Sequence, residues 1–144
     1  MALCAAALWL GSGCGDGKTP TPEEQLAETV RSMLRAIPER DSQGILDHVG
    51  FDFVADDGLD YAAVQSLVHE FLGRDELYSA ELEELRIEPG STDRELSVHA
   101  RVRFSPVQRL ARFARYRFAL RFTKLAGRWS ARGGSYARIA PRDG

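Results

Sequence analysis

The stretch ARYRFALRFTKLAGRWSARGGSYARI, Ala114 to Ile139, decides the fold of this 144-residue chain. In its first half every second residue is apolar, and most residues between them are arginines. This period of two is typical of a β-strand with one buried and one solvated face. Ala126-Gly127 indicates a tight turn, and Trp129 begins a second strand in which Gly133-Gly134 predicts a β-bulge. The stretch therefore predicts a β-hairpin.

Two further runs with a period of two precede this hairpin. Leu82 to Glu88 predicts a strand at the edge of the sheet, because it is rich in glutamate. Leu96 to Phe104 predicts the next strand, after a turn at Pro89-Gly90-Ser91. Ser105 to Arg112 is expected to be a loop. Together with the hairpin, these runs predict a four-stranded, mainly antiparallel sheet.

The residues before the strands favour helices. Thr21-Pro22-Glu23-Glu24 has the pattern of a capping box, and apolar residues then recur at helical spacing until Pro38. Asp41 and Asp60 are placed to cap two shorter helices, the first of which carries Ile45, Leu46 and Val49. Gly50 to Val54, between these helices, is expected to be a brief extended piece. The fold class is therefore α+β, with one long and two shorter helices.

The composition indicates one globular domain with an uneven distribution of charge. The chain is 44% hydrophobic and 28% charged, which is ordinary for a globular domain. Residues 1–93 hold 6 basic and 19 acidic side chains, whereas residues 94–144 hold 13 basic and 2 acidic side chains. Two interpretations stay open: the two halves neutralise each other inside one fold, or a basic sheet face contacts an anionic surface.

The amino-terminal residues have the composition of an export signal. Ala2 to Leu10 is an apolar run too short to span a bilayer, and small residues lead from it to Cys14. This order resembles a bacterial lipoprotein signal, in which the cysteine receives the lipid. It departs from that pattern at Gly11, where leucine is usual, and in having no basic residue before the apolar run. We expect a signal peptide at 1–13, a lipidated Cys14 with a flexible tether at 14–21, and a domain at 22–140 in the cell envelope, on the periplasmic or outer-membrane side.

The order of the predicted elements resembles the nuclear transport factor 2-like superfamily, including its ketosteroid-isomerase-like and polyketide-cyclase-like (SnoaL-like) members. The resemblance rests on DSQGILDHVGFDFVADDG at Asp41–Gly58, on the apolar stripe from Val64 to Leu72, and on GRWSARGGSYARI at Gly127–Ile139. It implies a cystatin-like fold in which a curved sheet wraps the long helix into a cone, with a pocket at its open end. Fold alone does not choose a function.

Seven aromatic side chains are expected to be core residues or to line that pocket: Phe51, Phe53, Phe71, Tyr116, Phe118, Trp129 and Tyr136. The direction of Tyr136 depends on the predicted bulge, because an extra residue reverses the faces of a strand. In the isomerase-like members a tyrosine on the first helix holds an oxyanion, and the first helix here has none. No catalytic residue is therefore predicted.

An enzyme of the isomerase or cyclase type is the alternative. Its acid would come from the aspartates of the Asp41–Asp60 segment, and its phenol from Tyr116 or Tyr136. Six aspartates lie in this segment: Asp41, Asp47, Asp52, Asp56, Asp57 and Asp60. Helix capping and an Asp-Asp-Gly turn explain half of these six. The three histidines, His48, His69 and His99, have no spacing typical of a metal site, and no metal or cofactor is predicted.

The solvated side of the predicted strands carries five arginines that would gather into a patch for an anionic surface: Arg101, Arg103, Arg115, Arg117 and Arg121. Glutamates of the first strand would neutralise them in the alternative interpretation. Nucleic acid is not an expected partner, because no stacking aromatic shares that face. The sequence thus favours a non-catalytic binding or scaffold module, anchored to the membrane by its lipid. Its partner is a small apolar ligand or an envelope protein, and a homodimer through the strand face is a third hypothesis.

Overall fold

The computed structural model describes residues 19–74, 76–107 and 113–140. The predicted signal peptide, Cys14 and most of the tether lie outside these residues. Helix α1 spans Pro22–Arg35, and the hydroxyl of Thr21 accepts a hydrogen bond from the backbone N–H of Glu24 at 3.1 Å, which confirms the predicted helix start. The inner side of α1 buries Leu26 and Val30.

Two shorter helices follow, and each begins at an aspartate. Helix α2 spans Ser42–Leu46, and the carboxylate of Asp41 accepts a hydrogen bond from Gly44 N at 3.0 Å. Helix α3 spans Tyr61–Leu72, and Asp60 accepts from Ala63 N at 2.9 Å. Both caps were predicted, but α2 is shorter than expected, because Val49 already belongs to a strand.

In the described part of the chain the sheet has five strands, so the expectation of four was wrong. They are β1 (Val49–Ala55), β2 (Tyr78–Pro89), β3 (Glu95–Pro106), β4 (Ala114–Leu125) and β5 (Arg128–Ile139). Their order is β1-β5-β4-β3-β2, with β1 parallel to β5 and every other pair antiparallel. The glutamate-rich strand β2 lies at an edge, as predicted. Strand β3 extends through Pro106 into the expected loop, of which residues 108–112 lie outside the described part.

The additional strand is the piece that was expected to be merely extended. Strand β1 pairs with β5 at Val49 and again at Val54 and Ala55, with an irregularity between these pairs. Phe51 lies in this irregular part with 88% of its surface exposed, whereas Phe53 is buried. The alternation of exposed and buried residues in β1 is therefore too short to predict a strand. Pairing with β5, which is distant in the sequence, determines the conformation of β1.

A β-bulge in β5 confirms the expected break in the sheet, one residue before the predicted glycines. Arg121 of β4 pairs with Gly133 and Phe122 pairs with Ala131, so Arg132 is the extra residue. Before Arg132 the odd-numbered residues of β5 therefore lie on the inner face, and after Arg132 the even-numbered residues do. Gly134 follows the bulge with φ of +137°, which favours glycine.

The core lies between α1 and the inner face of the sheet. Its largest fully buried side chains are Phe122, Leu26 and Val98. Trp129 is also buried, at the end of the core nearest the β4–β5 turn. On β3 the inner residues Leu96, Val98, Ala100 and Val102 are all buried, as their alternation predicted. Within the described residues, no helix is long and apolar enough to cross a membrane.

Candidate functional site

An open cavity of about 730 Å³ lies between the three helices and the inner face of the curved sheet. All three helices and all five strands contribute to its wall, and most of the lining side chains are aliphatic or aromatic. No buried residue among those described is polar or charged. This volume is within the usual range for small-molecule pockets, and the interior offers hydrophobic contact without a buried ionisable group.

An aromatic row crosses the wall of the cavity from the start of β2, by way of α3, to β5. We define it by its members in spatial order: Tyr78, Phe71, Phe104, Tyr116, Phe118 and Tyr136. The ring centroids of successive members are 5.0, 5.8, 5.7, 6.2 and 6.4 Å apart. Every member lines the cavity. The row therefore presents a continuous aromatic surface against which an apolar molecule could pack.

Five of the seven aromatic residues that the sequence predicted for the pocket line the cavity: Phe53, Phe71, Tyr116, Phe118 and Tyr136. The other two, Phe51 and Trp129, do not. Phe51 is turned outwards by the irregularity of β1 and packs its ring edge-on against Tyr61, with centroids 5.0 Å apart. Trp129 is 5% exposed and lies in the core, on the β4–β5 turn side of Ala131.

Sequence reasoning missed several residues of the site. Phe104 was placed in the apolar stripe of its strand but not at the pocket, and Tyr78 precedes the predicted start of β2. Arg138 was missed because its direction depends on the position of the bulge. A bulge placed at Arg132 would have put both Tyr136 and Arg138 on the inner face.

The charged residues at the cavity come from two places. Glu70, Arg74 and Glu76 lie at the end of α3 and just after it, and Arg138 lies on β5. The hydroxyl of Tyr78 donates to Glu76 Oε2 at 3.1 Å, and the guanidinium of Arg74 lies 5.9 Å from the centroid of Phe71. The charges therefore lie at the ends of elements around an apolar interior.

None of the six aspartates between Asp41 and Asp60 lines the cavity. Asp41 and Asp60 cap helices, and Asp57 accepts a hydrogen bond from Leu59 N at 3.1 Å. Asp52 forms an ion pair with Arg132, and Asp56 lies 3.7 Å from Arg121. The remaining member, Asp47, accepts a hydrogen bond from the side chain of Gln43. The segment thus has a structural role, and it does not supply the acid of the predicted alternative enzyme.

The three histidines also lie away from the cavity lining. His48 Nδ1 is 3.0 Å from the carbonyl oxygen of Trp129, and His99 Nε2 is 3.6 Å from Glu88 Oε2. His69 is exposed near the end of α3. In the part of the chain that the structure describes, no group of three His, Cys, Asp or Glu side chains could hold a metal ion.

Most of the predicted arginine patch is paired with carboxylates. Arg115 Nε donates to Glu83 Oε1 at 2.8 Å, and Arg101 lies 3.6 Å from the same carboxylate. Arg103 pairs with Glu81, and Arg121 lies near Asp56. Among the described residues Arg117 has no ion pair. These contacts support the interpretation that the acidic and basic parts of the chain neutralise each other.

Comparison with known proteins supports the fold. No protein-family profile matches the sequence, and no curated protein matches it significantly. A nuclear transport factor 2-like protein of unknown function from Pseudomonas putida superposes with a TM-score of 0.66 at 18% identity, over 83% of this chain and 86% of that one. A Nostoc punctiforme protein of unknown function with a cystatin-like fold gives 0.58 at 13% identity, over 81% and 91%.

A third similar structure carries the name of an enzyme. It is a Novosphingobium aromaticivorans protein to which the activity of an aromatic ring hydroxylase is provisionally assigned. Its TM-score is 0.61 at 17% identity, over 78% of this chain and 84% of that chain. At such low identities these likenesses show a shared fold, and a shared fold carries no specific activity.

Proposed function

The chain has the nuclear transport factor 2-like fold, and we propose that it uses the cavity of this fold to bind a small apolar ligand without catalysis. The observation that carries this proposal is the open, aromatic-lined cavity of about 730 Å³. Burial of apolar ligand surface contributes roughly 25 cal/mol per Å² before the costs of association are subtracted. An apolar cavity of this volume therefore offers enough contact for binding.

The wall does not hold the acid of the predicted isomerase or cyclase, since its described carboxylates are Glu70 and Glu76, at the end of α3 and just after it. Catalysis by proton transfer needs an acid or base within hydrogen-bonding distance of the substrate, supported by groups that stabilise developing charge. Helix α1 supplies Val30, Met33 and Leu34 to the cavity, and none of these can donate a hydrogen bond to an oxyanion. The phenols of the alternative enzyme, Tyr116 and Tyr136, are at the cavity, but its aspartates are not.

Binding is tested with N-phenyl-1-naphthylamine, an uncharged probe whose fluorescence rises in apolar surroundings. We expect the full chain, carrying Cys14→Ser to keep it free of lipid, to bind the probe with a dissociation constant on the order of 10 µM. Ala114→Trp places a large ring at a half-buried cavity position on β4 and should weaken binding at least about tenfold.

Ala119→Trp is the matched control. Ala119 is also a half-buried alanine of β4, but it lies on the outer face, where it pairs with His99 and Ser135. This variant should bind the probe as the parent chain does. Equal loss of binding in both variants, or no saturable binding by the parent chain, would refute the proposed cavity function.

We also propose that a lipid on Cys14 holds the domain at a bacterial membrane. The motif around Cys14 supports this part of the proposal. Cells expressing the full chain are labelled with a radioactive fatty acid, and we expect label on the parent chain and on Cys4→Ser. Cys14→Ser should carry no label. Label that persists on Cys14→Ser would show that this cysteine is not the site.

An envelope protein and a second copy of the chain are the other proposed partners. Three arginines of the outer sheet face, Arg101, Arg103 and Arg115, are already paired with glutamates of the same chain, so their charge does not oppose a symmetrical contact. Light scattering on the Cys14→Ser chain measures the molar mass directly. A mass of about twice that of the 16.0 kDa chain supports a dimer, and the monomer mass excludes it.

A further inference from the structure

Arg138 is turned towards the cavity by the bulge in β5. Because Arg132 is an extra residue, Tyr136 and Arg138 follow Gly134 on the inner face instead of the outer one. Arg138 lies opposite Tyr116 of the adjacent strand β4, and both residues line the cavity. Without the bulge, Arg138 would belong to the outer face with the other arginines of the sheet.

Arg138 also differs from most of those arginines in having no acidic partner. On the outer face six of the described arginines lie within 4.0 Å of a carboxylate: Arg86, Arg101, Arg103, Arg115, Arg121 and Arg132. Among the described residues no carboxylate lies that close to Arg138. A guanidinium stays protonated in proteins, so Arg138 places a full positive charge and unused donors at the cavity.

Two tyrosines of the cavity wall are the neighbours of Arg138 in the sheet. Tyr116 is the cross-strand partner of Arg138, and Tyr136 lies two residues before it on the same face. Neither hydroxyl forms a hydrogen bond with the described residues, whereas the hydroxyl of Tyr78 donates to Glu76. One cation and two neutral donors are therefore grouped on β4 and β5 without an acceptor among the described residues.

The acidic residues of the cavity are associated with the other end of the aromatic row. Glu76 contacts Tyr78, the first ring, and Glu70 and Arg74 flank Phe71, the second ring, in the sequence. Tyr136, the last ring, lies beside Arg138 on β5. The row therefore separates a mainly acidic end from a basic end.

We propose that the ligand of this cavity is an amphipathic anion with an apolar body and one carboxylate. The body packs on the aromatic row, and the carboxylate accepts hydrogen bonds from the guanidinium of Arg138 and from the hydroxyls of Tyr116 and Tyr136. Arginine suits this role because its planar donors match the two oxygens of a carboxylate. This inference rests on the proposed binding function and adds the charge of the ligand to it.

Three compounds of the same shape test the charge. Naphthalene-2-carboxylate, naphthalene-2-carboxamide and naphthalene-2-carboxamidine carry charges of −1, 0 and +1 on one ring system. Each is used at pH 7 to displace N-phenyl-1-naphthylamine from the full chain carrying Cys14→Ser. We expect the carboxylate to displace the probe at about one tenth of the concentration that the carboxamide needs, as a charge-assisted hydrogen bond predicts.

Substitution then identifies the group responsible. Arg138→Gln should reduce the preference for the carboxylate over the carboxamide to within about twofold. The matched control is Arg117→Gln, since Arg117 is an exposed arginine on the adjacent strand β4 without an ion pair among the described residues. It lies on the outer face, so this variant should keep the tenfold preference.

The outcomes separate this inference from the proposed function. If the probe does not bind the parent chain, the proposed function fails, and this inference fails with it. If the probe binds but the carboxylate and carboxamide displace it equally, only the inference about Arg138 is wrong. Stronger displacement by the carboxamidine would also overturn it, because Glu70 and Glu76 would then determine the charge preference.

Discussion

Glu83 on β2 lies close to arginines of two other strands. Its carboxylate accepts a hydrogen bond from Arg115 of β4 at 2.8 Å and lies 3.6 Å from Arg101 of β3, and its side chain is only 17% exposed. The hydrogen bond from Arg115, together with the charges of Arg115, Arg101 and Arg103, lowers the pKa of Glu83 below its ordinary value of 4.5. A carboxylate held in this way makes the outer face a mixed-charge surface.

Glu83→Gln removes this negative charge and keeps the size of the side chain. At pH 7 we expect the variant to lose about 0.5–1 kcal/mol of unfolding free energy, measured by urea denaturation. Because the folded-state pKa is lowered, the stabilisation is present above about pH 4.5. It should disappear as the pH falls through the folded-state pKa, so the two unfolding curves converge in acid.

The neighbouring Glu84→Gln is the control for this pH dependence. Glu84 is more exposed, and its contact with Arg101, at 3.5 Å, is longer than the 2.8 Å hydrogen bond between Arg115 and Glu83. Its substitution should change the unfolding free energy little at any pH. A constant difference between parent and Glu83→Gln from pH 7 to pH 2 would mean that charge is not the cause.

At the scale of one element, the bulge in β5 determines which side chains line the cavity. Arg132 adds one residue opposite the β4 pair Arg121 and Phe122, and the inner face changes from odd-numbered to even-numbered residues. Gly134 is the residue that permits this change. With φ of +137°, its backbone passes so close to β4 that an added Cβ would overlap the carbonyl oxygen of Ala119.

Gly134→Ala should therefore lose at least about 3 kcal/mol of unfolding free energy, measured by thermal or urea denaturation, because the conformation is strained and the space is filled. Gly58→Ala separates the two causes. Gly58 also has positive φ, +92°, but no heavy atom lies within 4 Å of a Cβ placed there. It should lose only about 1 kcal/mol, the cost of the backbone conformation alone. Similar losses in the two variants would contradict close packing at the bulge.

Local sequence patterns predicted the elements whose cause is local. The Thr21 and Asp60 caps and the alternation in β3 depend on neighbouring residues, and the structure confirms them. Strand β1 was not predicted, since its conformation comes from parallel pairing with a strand about 80 residues later. The bulge was expected from two glycines, but only the pairing with β4 fixes its position at Arg132.

At the scale of the whole molecule, the core and the cavity share one sheet face. Phe122 and Phe118 lie on the inner face of β4, four residues or two strand periods apart. Phe122 is 1% exposed and packs in the core, whereas Phe118 is partly buried and lies in the aromatic row. Chain composition predicted that such aromatic residues would be inside, but only the curvature of the sheet decides how much of each ring faces the cavity, which both residues line.

This arrangement predicts unequal costs for the same substitution. Phe122→Ala should lose about 3–5 kcal/mol of unfolding free energy, because it creates a void in a packed core. Phe118→Ala should lose only about 1–2 kcal/mol, because part of that ring already faces open space. Urea denaturation of both variants measures the difference, and equal losses would indicate that the space beside Phe118 is filled.

The binding cavity itself is tested most directly by mapping where an apolar molecule binds. N-phenyl-1-naphthylamine is titrated into the ¹⁵N-labelled full chain carrying Cys14→Ser, and backbone amide shifts are followed by NMR. Saturable shift changes should concentrate at the aromatic row, with the largest at Phe104, Tyr116, Phe118 and Tyr136, and Phe51 should not change. Shift changes centred on the exposed Phe51, or none that saturate at the aromatic row, would contradict a binding cavity.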